Sequence, residues 1–506
     1  MDRIIRNVLE WLEDTQCRLP EKTAFRDNGA GITFGELLKT ARRIGSGLRD
    51  IRGKAPIAVL GSRHVSTIAG FLGIVYSGHA YAPLDASMPR YRLDQILSIL
   101  KPAALAADGE NMKLARDVAG GIPVLSLEEL AAEEIQEKAL QEIRDGMVDT
   151  DPLYVIFTSG STGRPKGVIT SHQSLMCYIE SYAEVMDIRE EDVLGNQSPL
   201  DYIAAIRDIY LPLRTGCSTV IIPKEYFMEP NNLFNFMNRH RVTSVGWSVS
   251  AFTVPLSLGA FEEVKLETLR KICFSGSVMP AACLMKWQEN LPEAVFVNQY
   301  GPTETTASCT WYRIDHLVQK DEQLLIGRPY PHYRVFLLNP DLTETPAGEI
   351  GEICVSGPIL ALGYYNDPER TAKSFPLNPN NPGYPERIYR TGDYGRFRED
   401  GMLEFHGRKD RQIKHMGHRV ELDEIEFAAG QAEGLKECAA LYREDTENLY
   451  LYYTGEIGKK ELLLAMRKIL PGFMIPRKVK ALECMPKLAN GKTDLKALEE
   501  DMRDGR

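Results

Sequence analysis

The chain has 506 residues, 43% hydrophobic and 26% charged, with 60 Lys and Arg against 70 Asp and Glu for a net charge of −10. That length suits about three domains and a large buried core. The acidic balance excludes a general nucleic-acid binder, which must neutralise phosphates, but leaves room for one local cationic pocket. Nine cysteines, at 17, 177, 217, 273, 283, 309, 354, 438 and 484, form no CxxC pair. Neither a zinc site nor a disulfide scaffold is therefore expected, and reduced thiols fit a cytoplasmic protein. The opening MDRIIRNVLEWLEDTQC is interrupted by acids, unlike a signal peptide. No apolar run reaches about 18 residues, so no transmembrane helix and no membrane partner is predicted.

In chain order, Ile4, Ile5, Val8, Leu9 and Leu12 recur at helical spacing, and Thr33 is placed to cap a helix through Phe34, Leu37, Leu38 and Ala41. Strands are predicted at 56–60 and 103–107, and helices at 66–76 and 91–100. Further strands follow at 219–222, 242–246 and 269–274. The alternation implies an α/β fold with largely parallel sheets. The acidic stretch from Glu128 to Asp145 predicts a solvated helix face, not a functional tail. From about Glu322 the texture becomes β-rich, with strands at 335–338, 350–356 and 402–406 and a coreless loop at 376–385. After Gly407-Arg408 mixed α and β patterns return, with helices at 421–433 and 459–470. The fold class is thus α/β: a large N-terminal body of α/β subdomains with a β-rich subdomain, then a small α+β domain of about 100 residues.

The strongest chemical signal is YVIFTSGSTGRPKG (154–167). An apolar strand feeds a run of Ser, Thr and Gly whose backbone N–H groups can cradle an anion. The hydroxyls of Thr158, Ser159, Ser161 and Thr162 add donors, Gly160 and Gly163 allow close approach, and Lys166 supplies a point charge. The order differs from a Walker A loop.

This segment resembles the phosphate loop of the adenylate-forming superfamily. The likeness narrows to the amino-acid-activating adenylation domains of nonribosomal peptide synthetases and the D-alanine–carrier protein ligases. GHAYAPLDASMPRYRLDQIL (78–97), NQYGPTETT (298–306), GEICVSGPILALGYYND (351–367), YRTGDYGR (389–396), GRKDRQIKHMGHRVELDEIE (407–426) and PKLANGKTDLKAL (486–498) follow in family order. Together they span essentially the whole chain.

The resemblance implies a site. Tyr300 would stack on adenine, with Asn298, Gln299 and Gly301 beside it, although alone it would be read as a core tyrosine. Glu304 would hold Mg²⁺, a hard cation suited to carboxylate and phosphate oxygens. Thr303 would lie by the α-phosphate. Asp393 and Arg408 would hold the ribose, Asp410 would be a hinge, and Gly417 would line a channel for a phosphopantetheine arm. Lys492 in NGKTD would be the catalytic lysine. The implied domains are 1–409, binding ATP and acid, and a mobile lid, 410–506. The implied reaction joins a carboxylate to the α-phosphate of ATP, releases pyrophosphate and passes the acyl group to a thiol. No carrier segment with an attachment serine is found in the chain. A separate phosphopantetheinylated carrier protein is therefore the expected acceptor in trans, with coenzyme A as the alternative.

The acid pocket departs from the pattern. Relatives that activate α-amino acids place an Asp where SPLDYIAAIRDIY (198–210) has Ile203, and Asp201 is the nearest carboxylate. A β-amino or other unusual amino acid fits, and so does an amine-free acid used by an aryl- or acyl-CoA ligase. By the same alignment Ala204, Arg207, Ala251, Cys273, Ser275, Gln299, Ala307 and Ser308 line the pocket. Arg207 either faces inward, favouring an anionic or strongly hydrogen-bonding group, or points to solvent or Asp208. A catalytically dead homologue serving as a binding module is a further alternative, opposed by the intact Lys166, Glu304, Asp393 and Lys492.

Overall fold

The computed structural model describes residues 5–160, 164–408, 410–487 and 493–504. Its first helix begins at Val8, where the Asn7 side chain accepts from the Leu9 amide at 3.2 Å. Thr33 and Glu36 form a capping box at the start of Phe34–Gly47, satisfying two otherwise unpaired backbone donors. The acidic stretch presents a solvated face, as expected: Glu128, Glu129, Glu133, Glu134, Glu137, Glu142 and Asp145 are all exposed. It makes two helices, Leu127–Ala132 and Glu137–Asp145. They bury Leu127, Leu130 and Leu140, and Arg144 pairs with Glu13 of the first helix. Leucines at helical spacing among the acids anchor them to the core.

The chain divides into two compact units. One comprises Met1–Ala86, Leu100–Ile156 and Gly167–Lys409; the other comprises Ser87–Ile99, Phe157–Lys166 and Asp410–Arg506. Among the described residues, a nine-stranded sheet runs in the order Arg328–Pro329, Thr310–Ile314, Val295–Tyr300, Lys271–Ser275, Ser244–Ser248, Val193–Asn196, Ser218–Ile221, Thr23–Arg26 and Gly31–Thr33. Its central strands are parallel, as buried apolar runs between helices require, and Thr310–Ile314 turns back antiparallel against Val295–Tyr300. A seven-stranded sheet is centred on Tyr81–Asp85 and Ile57–Gly61.

The β-rich stretch is an antiparallel sheet of four strands, Arg334–Leu338, Ile350–Ser356, Tyr389–Phe397 and Leu403–Arg408. The other unit holds the hairpin Gln412–His415/His418–Glu421 and a three-stranded sheet of Leu435–Arg443, Asn448–Gly455 and Lys478–Ala481. Val420, Ile425, Leu451 and Leu462 lie in its separate core.

Candidate nucleotide and acid site

The centre of the first unit is the hairpin connection 301–309, between Val295–Tyr300 and Thr310–Ile314. Gly301 is required there: a Cβ would meet Ser308 Cα at 2.5 Å and Cys309 N at 2.7 Å, both backbone atoms. Thr306 and Ala307 take the left-handed conformation, with φ of 51° and 74°. Their turn is pinned from outside, because Thr306 Oγ1 donates to the Ile359 carbonyl at 2.7 Å and the Ala361 amide donates to the Glu304 carbonyl at 2.9 Å. The result buries the Glu304 carboxylate completely, beside buried Thr303. Tyr364 donates to Glu304 Oε1 at 2.7 Å.

A second carboxylate closes the other side of Tyr300. Asp393 and Arg408 are directly paired across adjacent strands. Asp393 accepts from the Arg408 guanidinium through Oδ1 and from the Tyr300 hydroxyl through Oδ2, each at 2.5 Å. Its amide donates to Thr391 Oγ1 at 3.0 Å, which fixes the turn of the side chain. Burial, reinforced by Asp393, pushes the Tyr300 phenol far up, so it is a donor at neutral pH. Gln299 donates to Tyr330 at 2.6 Å and Asn298 to the Leu325 carbonyl at 2.8 Å. Tyr300, Glu304, Asp393 and Arg408 are thus brought together around one loop.

The positions assigned to the acid pocket lie in the same unit. Cys273 is buried on Lys271–Ser275, with half-buried Ser275 at the strand end, and Ala251 is buried on the helix Ser250–Ser257. Ser308 is buried next to half-buried Ala307, while Ile203 is buried between half-buried Tyr202 and Ala204. Arg207 resolves its two alternatives: it is buried in the helix Ala205–Thr215, and its guanidinium donates to the Gly246 carbonyl and reaches Cys273 Sγ at 3.9 Å. Asp208 turns instead to Asn196, whose Nδ2 donates to it at 2.8 Å. Desolvation pushes the Asp208 carboxyl up to about 6. Half-buried Asp201 is pushed up to about 7 by desolvation and by nearby Asp85.

In the other unit, Thr158 ends the strand Pro152–Thr158, and its buried Oγ1 has no hydrogen-bond partner among the described residues. Ser159 Oγ donates to the Arg419 carbonyl at 2.5 Å, Gly160 is buried, and buried Lys166 opens Lys166–Ser171. Asp410 accepts from the Gln412 amide at 3.3 Å. Gly417 and Met416, with φ of 81° and 51°, form the two-residue turn of the hairpin. Ser161, Thr162, Gly163 and Lys492 lie outside the described residues.

Sequence reasoning gave no role to Tyr364 or to the tyrosines around Arg207. Tyr364 sits within the quoted motif 351–367, but nothing in its spacing announces a bond to a carboxylate sixty residues earlier. Tyr178, Tyr182 and Tyr330 carry no local signal: each is a buried tyrosine far along the chain from Arg207.

The chain is also similar to known proteins. Residues 12–365 match the family model described as AMP-binding enzyme. The chain belongs to that family. It is 32% identical to bacitracin synthase 1 of Bacillus licheniformis over 501 residues, which cover 98% of this chain and 9% of that protein. It is 30% identical to gramicidin S synthase 2 of Aneurinibacillus migulanus, covering 99% of this chain and 11% of the synthase. The chain therefore spans about a tenth of the length of these curated relatives. Among solved structures it superposes on holo-PA1221, an NRPS protein containing adenylation and PCP domains bound to a vinylsulfonamide inhibitor. The TM-score is 0.84 at 26% identity, covering 98% of this chain and 84% of that one. Among the described residues no helix is long and apolar enough to cross a membrane.

Proposed function

We propose that the chain is an AMP-forming ligase that activates a carboxylic acid as its acyl-adenylate and passes the acyl group to the phosphopantetheine thiol of a carrier protein supplied in trans. The observation that carries this reading is the joint placement of Glu304, Tyr300, Asp393 and Arg408 around the single turn 301–309. Membership of the AMP-binding family and an NRPS structural relative containing adenylation and PCP domains support it. Ile203 and Asp201 favour a β-amino or other non-standard amino acid as the acid, with an amine-free acid as the alternative.

ATP is a substrate in this reading. Asp393, already oriented by Tyr300 and Arg408, accepts from the ribose hydroxyls, and the Tyr300 ring offers adenine a flat apolar face. The segment 158–166 carries the phosphates. Thr158 Oγ1, buried and unpartnered, and buried Lys166 are the donor types such anions require. Mg²⁺ fits Glu304, a buried carboxylate on a rigid turn. Among the described residues no cluster of three or more His, Cys, Asp or Glu could hold a metal alone, so one carboxylate and the nucleotide's own oxygens would share the ion. When bound, Mg²⁺ would disperse phosphate charge.

The barrier is the approach of one anion to another. Lys492 on the lid 410–506 would bridge substrate carboxylate and α-phosphate, and no protein nucleophile is needed. Rotation at Asp410 would then withdraw Lys492 and bring Gly417 to a channel for the incoming thiol.

The test is ATP–pyrophosphate exchange across a panel of acids, followed by transfer to a phosphopantetheinylated carrier protein or to coenzyme A. Exchange and carrier loading are expected, with Lys492→Ala slowing adenylation sharply but sparing transfer from pre-made adenylate. Loading of coenzyme A alone would make the protein an acyl-CoA ligase. Absence of exchange with every acid would leave a binding module.

A further inference from the structure

Two buried donors in the first unit have no acceptor. The Arg207 side chain is only 1% exposed, and its Cζ lies 5.5 Å over the Tyr182 ring. Nη2 donates to the Gly246 carbonyl and Nη1 reaches Cys273 Sγ, but Nε has no hydrogen-bond partner. Among the described residues no carboxylate forms an ion pair with this guanidinium, because Asp208 is turned to Asn196. The second donor is the hydroxyl of fully buried Tyr178, which lies near Arg207 and Ser308 but makes no hydrogen bond of good geometry to either. Its ring packs edge-on against Tyr330, 6.3 Å between centroids.

The two donors connect to the reactive centre. Tyr330 accepts from Gln299, and Ser308 Oγ bonds Gln299 Oε1 at 3.3 Å. Gln299 immediately precedes Tyr300 at the mouth of the turn that holds Glu304. A permanently charged guanidinium whose nearby carboxylate, Asp208, is hydrogen-bonded to Asn196 instead is buried without a direct anionic partner, a cost that a ligand carboxylate would offset. Arg offers a planar fork that matches carboxylate geometry, and a phenol adds a further donor. Nε can only donate and the phenol can donate, so a carboxylate, with two acceptor oxygens, satisfies both, whereas an amide offers one acceptor oxygen.

We infer that Arg207 and Tyr178 recognise a second carboxylate on the substrate, at the end remote from the carboxylate that is adenylated. The inference rests on the ligase reading above and names the substrate class: dicarboxylic acids, with or without an amino group. Neither residue touches the reacting atoms, so both set specificity.

The experiment is pyrophosphate exchange with full-length enzyme and acids matched in length but ending differently. One series is succinate, succinamate and butanoate; the other is aspartate, asparagine and 2-aminobutanoate. In the active series the carboxylate-ended acid is expected to exceed both others by at least about tenfold in kcat/KM. Tyr178→Phe should raise KM for that acid about tenfold with kcat little changed, and Arg207→Met should raise it further while improving use of the methyl-ended acid. Arg207→Lys should restore part of the loss. If Arg207→Met does not fold, Tyr178→Phe and the wild-type ranking still decide. Preference for the amide-ended or methyl-ended acid, or exchange with benzoate instead, overturns the inference and leaves the ligase reading standing. Silence with every acid overturns the ligase reading and this inference with it.

Discussion

Tyr364 donates a 2.7 Å hydrogen bond to Oε1 of Glu304, joining the short strand Gly363–Tyr364 to the turn 301–309. The bond orients a fully buried carboxylate, and a carboxylate held in one direction can present its other oxygen to a cation. Tyr364→Phe is expected to lower the exchange rate about tenfold and to raise the Mg²⁺ concentration giving half-maximal rate. Glu304→Gln should lower it by about a hundredfold. A Mg²⁺ titration of exchange at saturating ATP checks both, and an unchanged Mg²⁺ midpoint in both variants would remove Glu304 from the metal.

Asp393 is shared by Tyr300 and Arg408, so its variants should affect nucleotide binding before chemistry. Asp393→Asn loses the charge that holds Arg408. It is expected to raise KM for ATP at least about tenfold. Its discrimination between ATP and 2′-deoxy-ATP should collapse, because the acceptor for the ribose hydroxyl is gone. Tyr300→Phe keeps the ring and loses only the orienting bond, so KM should rise less and discrimination persist. Retained discrimination in Asp393→Asn would place the ribose elsewhere.

The turn itself can be tested through stability. Gly301→Ala forces a methyl group against two backbone atoms within 2.7 Å, and backbone that is already pinned by Ile359 and Ala361 cannot yield. Destabilisation of about 3 kcal/mol or more is expected, with loss of exchange. Gly383→Ala, in an exposed loop where the nearest contact to a new Cβ is a flexible side-chain atom at 3.5 Å, serves as the control. Equal melting temperatures for the two variants would refute the close-packing account.

What was legible beforehand follows from the range over which each signal acts. The helix cap at Thr33, the β-rich texture after Glu322 and the return to mixed structure after Arg408 are local patterns, and they read correctly. The solvated face of the acidic stretch also reads correctly, but its division into two helices and the burial of the widely spaced Leu130 and Leu140 are not legible from its charge. At the candidate site, motif order singles out Glu304 and Asp393. Their partners Tyr364 and Tyr300 bond across sixty and ninety-three positions, a relationship that no window along the chain contains. Alignment puts Arg207 at the pocket, but its direction depends on contacts with Gly246 and Cys273 that lie far along the chain.

His172 gives a pH prediction for stability. Burial drives its imidazole down to about 4, so the folded protein keeps it neutral. The unfolded chain, titrating near 6.5, takes up a proton first as pH falls. The stabilisation is therefore complete above about pH 6.5 and is lost between there and about pH 4, up to about 3 kcal/mol. His172→Gln, which does not titrate, should flatten this part of the melting-temperature profile. A wild-type profile with the same slope as the variant would show that other groups govern it.

Asp201 gives the opposite kind of test, on binding. Desolvation and Asp85 hold its carboxyl near 7, so it is largely neutral at pH 6 and ionised at pH 8. An ammonium group keeps its charge across this range and pairs only with the ionised carboxylate. If the substrate carries an amine that Asp201 receives, KM should fall by about tenfold per unit as pH rises toward 7, then level off above it. Asp201→Asn should abolish the pH dependence and raise KM at pH 8 to near the wild-type value at pH 6. An amine-free acid makes no such pair, and its KM would be flat or rise as the carboxylate ionises. The slope of KM against pH for paired acids, aspartate against succinate, thus distinguishes the amino-acid and amine-free readings without altering any residue of the turn 301–309.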